Sequence, residues 1–187
     1  MGRASRRLRR TTVVAVLITL TLLGLGAAGW PVYARPATND VSPARPADAI
    51  VVLGGIPATA VTGEALWRAG AARELVVSNP YPAGYPDLRP ICPAVPRPHV
   101  TCFVPDPSTT RGEAQEIGRL ARQRGWDDVV VLAPVFQISR ARVLVERCYP
   151  GRLRMVDAHA PFPTSSWPYQ YVYQTAGYVK VALRRSC

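Results

Sequence analysis

The most constraining feature of this chain is an uncharged run of 24 residues, Thr11 to Ala34 (TTVVAVLITLTLLGLGAAGWPVYA), directly behind arginines at positions 3, 6, 7, 9 and 10. At about 1.5 Å per residue, a helix over that run crosses a hydrocarbon core of roughly 30 Å. Trp30 and Tyr33 fall where the far interface would lie. The positive-inside rule keeps the basic segment 1–10 in the cytoplasm and places everything after Arg35 outside. The reading is a single-pass signal-anchor of the plasma (inner) membrane, residues 11–34, carrying an extracytoplasmic globular part. A cleaved signal peptide is the competitor, because the leader is basic and Ala27-Ala28-Gly29 is small-residue material. Against it, the run is long for a signal-peptide core and no clean A-x-A motif precedes a mature start. Both readings export the globular part.

The remaining residues suffice for one small domain and not for two, given a total of 187. With 48% hydrophobic and 19% charged residues, wholesale disorder is excluded. The formal charge of +11 suggests nucleic acid until the charge is located: from Pro36 onward there are 17 basic against 12 acidic residues, spread along the chain. Nucleic-acid binding is therefore not expected. Cys92, Cys102, Cys148 and Cys187 show no C-x-x-C spacing, which argues against a zinc site or a redox pair. In an exported domain they are expected to form disulfides. Cys92 and Cys102, close together in a proline-rich loop, are the expected pair, and closing that loop is worth roughly 2–3 kcal/mol. The pairing of Cys148 and Cys187 stays open.

Residues 35–46 (RPATNDVSPARP) read as a Pro/Ala tether holding the domain off the membrane. The domain proper, 47–187, alternates strand and helix signals. Apolar runs at 48–53 (DAIVVL), 74–78 (ELVVS) and 128–132 (DVVVL) read as strands buried on both faces of a parallel sheet, with further strands at 99–104 and 152–157. Helices are expected at 61–72, 110–125, 138–148 and 169–183. Nine prolines among residues 80–107 rule out long elements there. The fold class is α/β, a Rossmann-like three-layer domain with a mainly parallel sheet, preceded by one transmembrane helix.

In such sheets ligands bind beyond the carboxyl ends of the strands, so the segments found there are the candidate site. Gly54-Gly55 permits a tight turn and close approach of a ligand to backbone N–H groups, but it is neither G-x-G-x-x-G nor a P-loop, and a plain glycine turn explains it equally well. Ser78 and Asn79 follow the second strand. Thr109-Thr110-Arg111-Gly112-Glu113 opens the long helix, and Thr110 with Glu113 has the spacing of a capping box. The functional alternative is an anion site at the helix N-terminus, with Arg111 reinforcing it and Glu113 as acid/base. Gln137 lies in the segment after the fourth strand. Of Arg140 and Arg142 beyond it, one is expected to point at the strand ends and suit bidentate phosphate or carboxylate recognition. A solvated helix face is the plainer reading and fits Arg142 better than Arg140. His159 is the histidine placed nearest this edge, although a lone loop histidine is more often structural. Neither a metal nor a cofactor is expected.

The succession DAIVVLGG, a helix ending in Gly70, ELVVS, TTRGEA, VVVLAP and SRARVLVERC resembles the ElyC/SanA/YdcF family over about residues 47–183. TTRGEA is similar to that family's T-x-x-E-A signature and SRAR to its R-A segment. The resemblance implies a Rossmann-like fold behind a membrane helix and a role in bacterial envelope integrity, peptidoglycan precursor or lipid-carrier metabolism. The implied partner is an anionic, phosphate- or sugar-bearing envelope precursor or lipid-linked phosphate. One branch is linked to S-adenosylmethionine, which an extracytoplasmic domain would not meet. The chain departs from the pattern at Ser78-Asn79-Pro80, where a glycine pair is common, at Gln137, where histidine is common, and at Val61-Thr62, where an arginine is expected nearby. Gln137 bears on catalysis and leaves a binding role intact. The alternative function is a non-catalytic envelope interaction protein using the proline-rich 80–107 segment.

Overall fold

The computed structural model describes residues 2–81 and 86–187, with side chains from Arg9 onward. The side chains of Arg3, Arg6 and Arg7, and residues 82–85 of the proline-rich segment, lie outside the described residues. The first helix, α1 (Gly2–Tyr33), contains one stretch, Arg9–Tyr33, long and apolar enough to cross a membrane.

The domain behind it is α/β. Its strands are β1 (Ala47–Val52), β2 (Ala72–Ser78), β3 (Val100–Phe103), β4 (Asp128–Ala133) and β5 (Arg152–Asp157). Helices α2 (Pro57–Arg68), α3 (Thr110–Arg124), α4 (Ile138–Cys148) and α5 (Trp167–Leu183) complete it. All strand pairs are parallel, in the order β3-β2-β1-β4-β5. This is the arrangement expected of central strands written as unbroken apolar runs. Alternate residues of β1 feed opposite layers: Ala49, Val51 and Leu53 pack with Ile117, Leu120 and Val145 of α3 and α4. Ile50 and Val52 pack with Ala60 of α2, Leu88 and Ile91 on the other face. The chain reverses its winding direction between β1 and β4, which opens a crevice at their carboxyl ends.

Several boundaries differ from expectation for local reasons. Helix α2 spans 57–68 instead of 61–72, because Pro57 is well suited to a first helical turn and Gly70, at φ +84°, ends the segment. β2 consequently begins at Ala72 and β3 is confined to four residues. Cys92 and Cys102 are bonded with Cα atoms 5.8 Å apart, pinning the proline-rich segment to β3. A second disulfide, Cys148–Cys187, ties the end of α4 to the residues after α5.

Residues 35–46 are not a free spacer. The Asn39 N–H donates to the Met155 carbonyl at 2.8 Å, and its side-chain Oδ1 accepts the Met155 N–H at 2.9 Å. Asn39 thereby satisfies backbone groups that the edge strand β5 would otherwise leave open. Arg142 donates to the Ala37 carbonyl at 2.7 Å. The last turns of α1 pack directly on the domain: Tyr33 is buried, and the Ser139 hydroxyl donates to the Val32 carbonyl at 2.7 Å.

Candidate functional site

A cavity of about 390 Å³ lies at the carboxyl ends of β1, β2 and β4, walled on its far side by α5. Its floor is made by segments that the parallel sheet must terminate here. Gly54 and Gly55 leave β1, the first turn of α3 faces the same edge, and a 3-10 turn, Val135–Gln137, leads from β4 into α4.

The first turn of α3 shows what Thr110 and Glu113 contact. The N-cap is Thr109, whose hydroxyl accepts the Gly112 N–H at 3.4 Å. The expected capping box on Thr110 is therefore absent. Thr110 is already helical, and its hydroxyl accepts from the Gln137 amide at 2.9 Å in a buried bond. Glu113 turns across the crevice instead, and its Oε1 accepts the Gly54 N–H at 2.6 Å. Glycine is needed at Gly54 and, next to Glu113, at Gly112. A side chain on Gly112 would strike the Pro107 carbonyl, and one on Gly54 would strike the Pro80 ring and come within 3.2 Å of Ser78 Oγ.

Glu113 is 3% exposed and forms no ion pair among the described residues. Burial pushes its pKa up, against the opposing pull of the Gly54 N–H, the Ser78 hydroxyl and the Arg140 charge. The Ser78 hydroxyl lies beside this carboxyl without completing an aligned hydrogen bond. A carboxyl in this setting holds a proton at higher pH than a solvated glutamate and can donate it into the cavity.

Arg140 forms the opposite pole. Its Nε donates to Gln174 Oε1 at 2.7 Å, and its guanidinium carbon lies 6.0 Å from the Tyr173 ring centroid. Gly177 gives it room, since a Cβ there would come within 2.7 Å of Arg140 Cδ. Burial lowers its pKa while Tyr173 and Glu113 raise it, yet a guanidinium stays charged across the physiological range. Among the described residues no carboxylate pairs with it, so a partly buried cation faces the cavity with capacity for an anion.

The cavity thus brings together Gly54, Gly55, Thr109, Thr110, Glu113, Gln137 and Arg140. Ser78 lies beneath it, buried, and Asn79 does not line it. Arg111 is turned away: its guanidinium donates to the Cys187 backbone oxygen at 2.9 and 3.1 Å and to the Ser186 hydroxyl at 3.1 Å, clamping the chain after α5. His159 is exposed and lines no part of the cavity. Sequence reasoning missed the α5 wall, which supplies Tyr169, Gln170, Tyr173 and Gln174. Its signal was present as two aromatic and two amide residues at i, i+4 spacing, which places each pair on one helix face. Among the described residues no cluster of histidine, cysteine or carboxylate residues has the makings of a metal site. The sequence matches no protein-family model, and no curated protein matches it significantly.

Proposed function

We propose that this protein is a membrane-anchored, extracytoplasmic component of bacterial cell-envelope biogenesis that binds an anionic, phosphate- or sugar-bearing precursor in the strand-end cleft. One observation carries the reading: a buried carboxyl whose pKa burial raises, Glu113, and a guanidinium with no ion-pair partner among the described residues, Arg140, line the same cavity. In this proposal Arg140 and the N-terminal turn of α3 hold the anion, Thr110 and Gln137 position it, and Glu113 exchanges a proton with the ligand. The two disulfides and the apolar helix support placement outside the cytoplasm. The resemblance to the ElyC/SanA/YdcF family, carried by TTRGEA and SRAR, supports the substrate class.

The test is a thermal-shift titration of the full chain in detergent micelles under oxidising conditions. The probes are geranyl phosphate, a nucleotide sugar and S-adenosylmethionine. Ligand at about 100 times its Kd adds about 2.7 kcal/mol. The proposal expects a shift with a phosphate- or sugar-bearing probe that Arg140→Gln abolishes. The absence of any such shift would overturn it and leave the 80–107 segment as a protein-interaction surface.

A further inference from the structure

Helix α5, one wall of the cleft, rises alongside the last two turns of α1. The Tyr171 hydroxyl donates to the Gly26 carbonyl at 3.2 Å. A Cβ on Gly29 would lie 2.5 Å from a Tyr171 ring carbon, so the two helices meet there only because that position is glycine. Higher up, the Tyr33 and Thr175 hydroxyls are 2.9 Å apart, and the Tyr33 ring reaches Tyr178 at 6.3 Å.

These contacts set a depth. The residues from Thr11 to Trp30 extend over about 30 Å as a helix, the full hydrocarbon thickness. Gly26 then lies about 6 Å inside the far boundary. A side chain bonded to its carbonyl reaches just inside the level where acyl chains give way to headgroups, and the neighbouring turn of α5 stands beside it.

The residues at that depth suit it. Phe136, Phe162, Trp167, Tyr171 and Tyr33 form a continuous series of ring contacts with centroid separations of 4.7, 5.7, 6.2 and 4.9 Å. Such rings concentrate at membrane interfaces. On the outward face of α5, Tyr169, Val172 and Tyr173 are 64, 72 and 52% exposed at i, i+3, i+4 spacing. The single charged residue of α5, Lys180, lies two turns further from the bilayer.

We propose that this outward face of α5, built on Tyr169, Val172 and Tyr173, docks on the surface of the far leaflet, so that the mouth of the cleft beside Phe162, Tyr169 and Tyr173 opens at the level of lipid headgroups. The proposal rests on α1 being a membrane span. Continuity with α1 favours lipid over a protein partner as the occupant, because the contacts that fix the depth of Tyr171 fix that of the residues flanking it. A ligand could then enter laterally, its headgroup meeting Arg140 while its tail stays in the bilayer.

The test uses the full chain in lipid nanodiscs, with a spin label carried by a ketone-bearing amino acid so that both disulfides are untouched. Labels at Leu17, Val172 and Val95 are compared for access to oxygen, which partitions into lipid, and to a nickel chelate, which stays in water. The expected oxygen-to-nickel ratio at Val172 is several-fold above that at Val95 and below that at Leu17. Free access of nickel to Val172, or shielding from both reagents, with Leu17 still in lipid would overturn the docking face. Free access of nickel to Leu17 would overturn the membrane span itself, and the proposal with it.

Discussion

Replacing Glu113 with glutamine isolates the ionisation on which the chemistry of the cleft depends. The introduced amide keeps an oxygen to accept the Gly54 N–H, so Glu113→Gln removes the charge and retains the bond. In the wild type burial raises the folded-state pKa above the ordinary 4.5. The folded state therefore binds the proton more tightly than the unfolded chain, and stability falls as pH rises through that window. The contribution is whole below the unfolded pKa and lost above the folded one, at about 1.4 kcal/mol per pH unit in between. For a chain of this length that corresponds to about 3–6 °C in Tm per pH unit. The other carboxylates titrate in both proteins and cancel in the difference. Thermal unfolding of the full chain in micelles, from about pH 4 to about pH 9, should give a Tm difference (variant minus wild type) that grows with pH and then levels. A difference constant across that range would show that Glu113 ionises normally in the folded state, and the acid/base assignment would fall.

Three further outcomes follow from the same geometry. Serine at Cys148 and Cys187 opens a loop with a sequence separation of 39, and serine at Cys92 and Cys102 one of 10. Chain entropy puts the losses at about 4 and about 3 kcal/mol, so denaturant titration should rank the Cys148–Cys187 pair as the costlier. Gly54→Ala, which crowds Pro80 and Ser78 and pushes the Glu113 acceptor away, should cost about 1–3 kcal/mol and weaken ligand-induced stabilisation. Arg111→Ala should leave ligand-induced stabilisation unchanged, because that guanidinium is bound to Ser186 and Cys187.

The sheet was legible because burial on both faces writes itself as uninterrupted apolar runs, as in DAIVVL and DVVVL. The amphipathic period of α3 was equally plain, and the rule that ligands bind beyond the carboxyl ends of parallel strands pointed to the right edge. The strand order that makes the crevice came only with the structure. What escaped is set by contacts between residues far apart in sequence. Thr109 and Thr110 are chemically equivalent as caps, and only the fold decides that Thr109 caps and that Glu113 reaches Gly54, 59 residues away. Asn39 looks like ordinary linker composition until Met155 of β5 lies beside it. Arg111 and Arg140 looked alike as anion binders, and tertiary packing separates them: one is committed to the chain after α5, the other to the cleft. The tyrosines of α5 divide similarly, Tyr171 and Tyr178 facing α1 while Tyr169 and Tyr173, largely exposed, stand at the mouth of the cavity.

The most direct measurement is a crystal structure of the full chain soaked with tungstate, a phosphate stand-in located by its anomalous signal. The account predicts a peak in the strand-end cleft within hydrogen-bonding reach of the Arg140 guanidinium, lost in Arg140→Gln. Tungstate bound only at surface arginines, with none in the cleft of a crystal whose cleft is open to solvent, would contradict it.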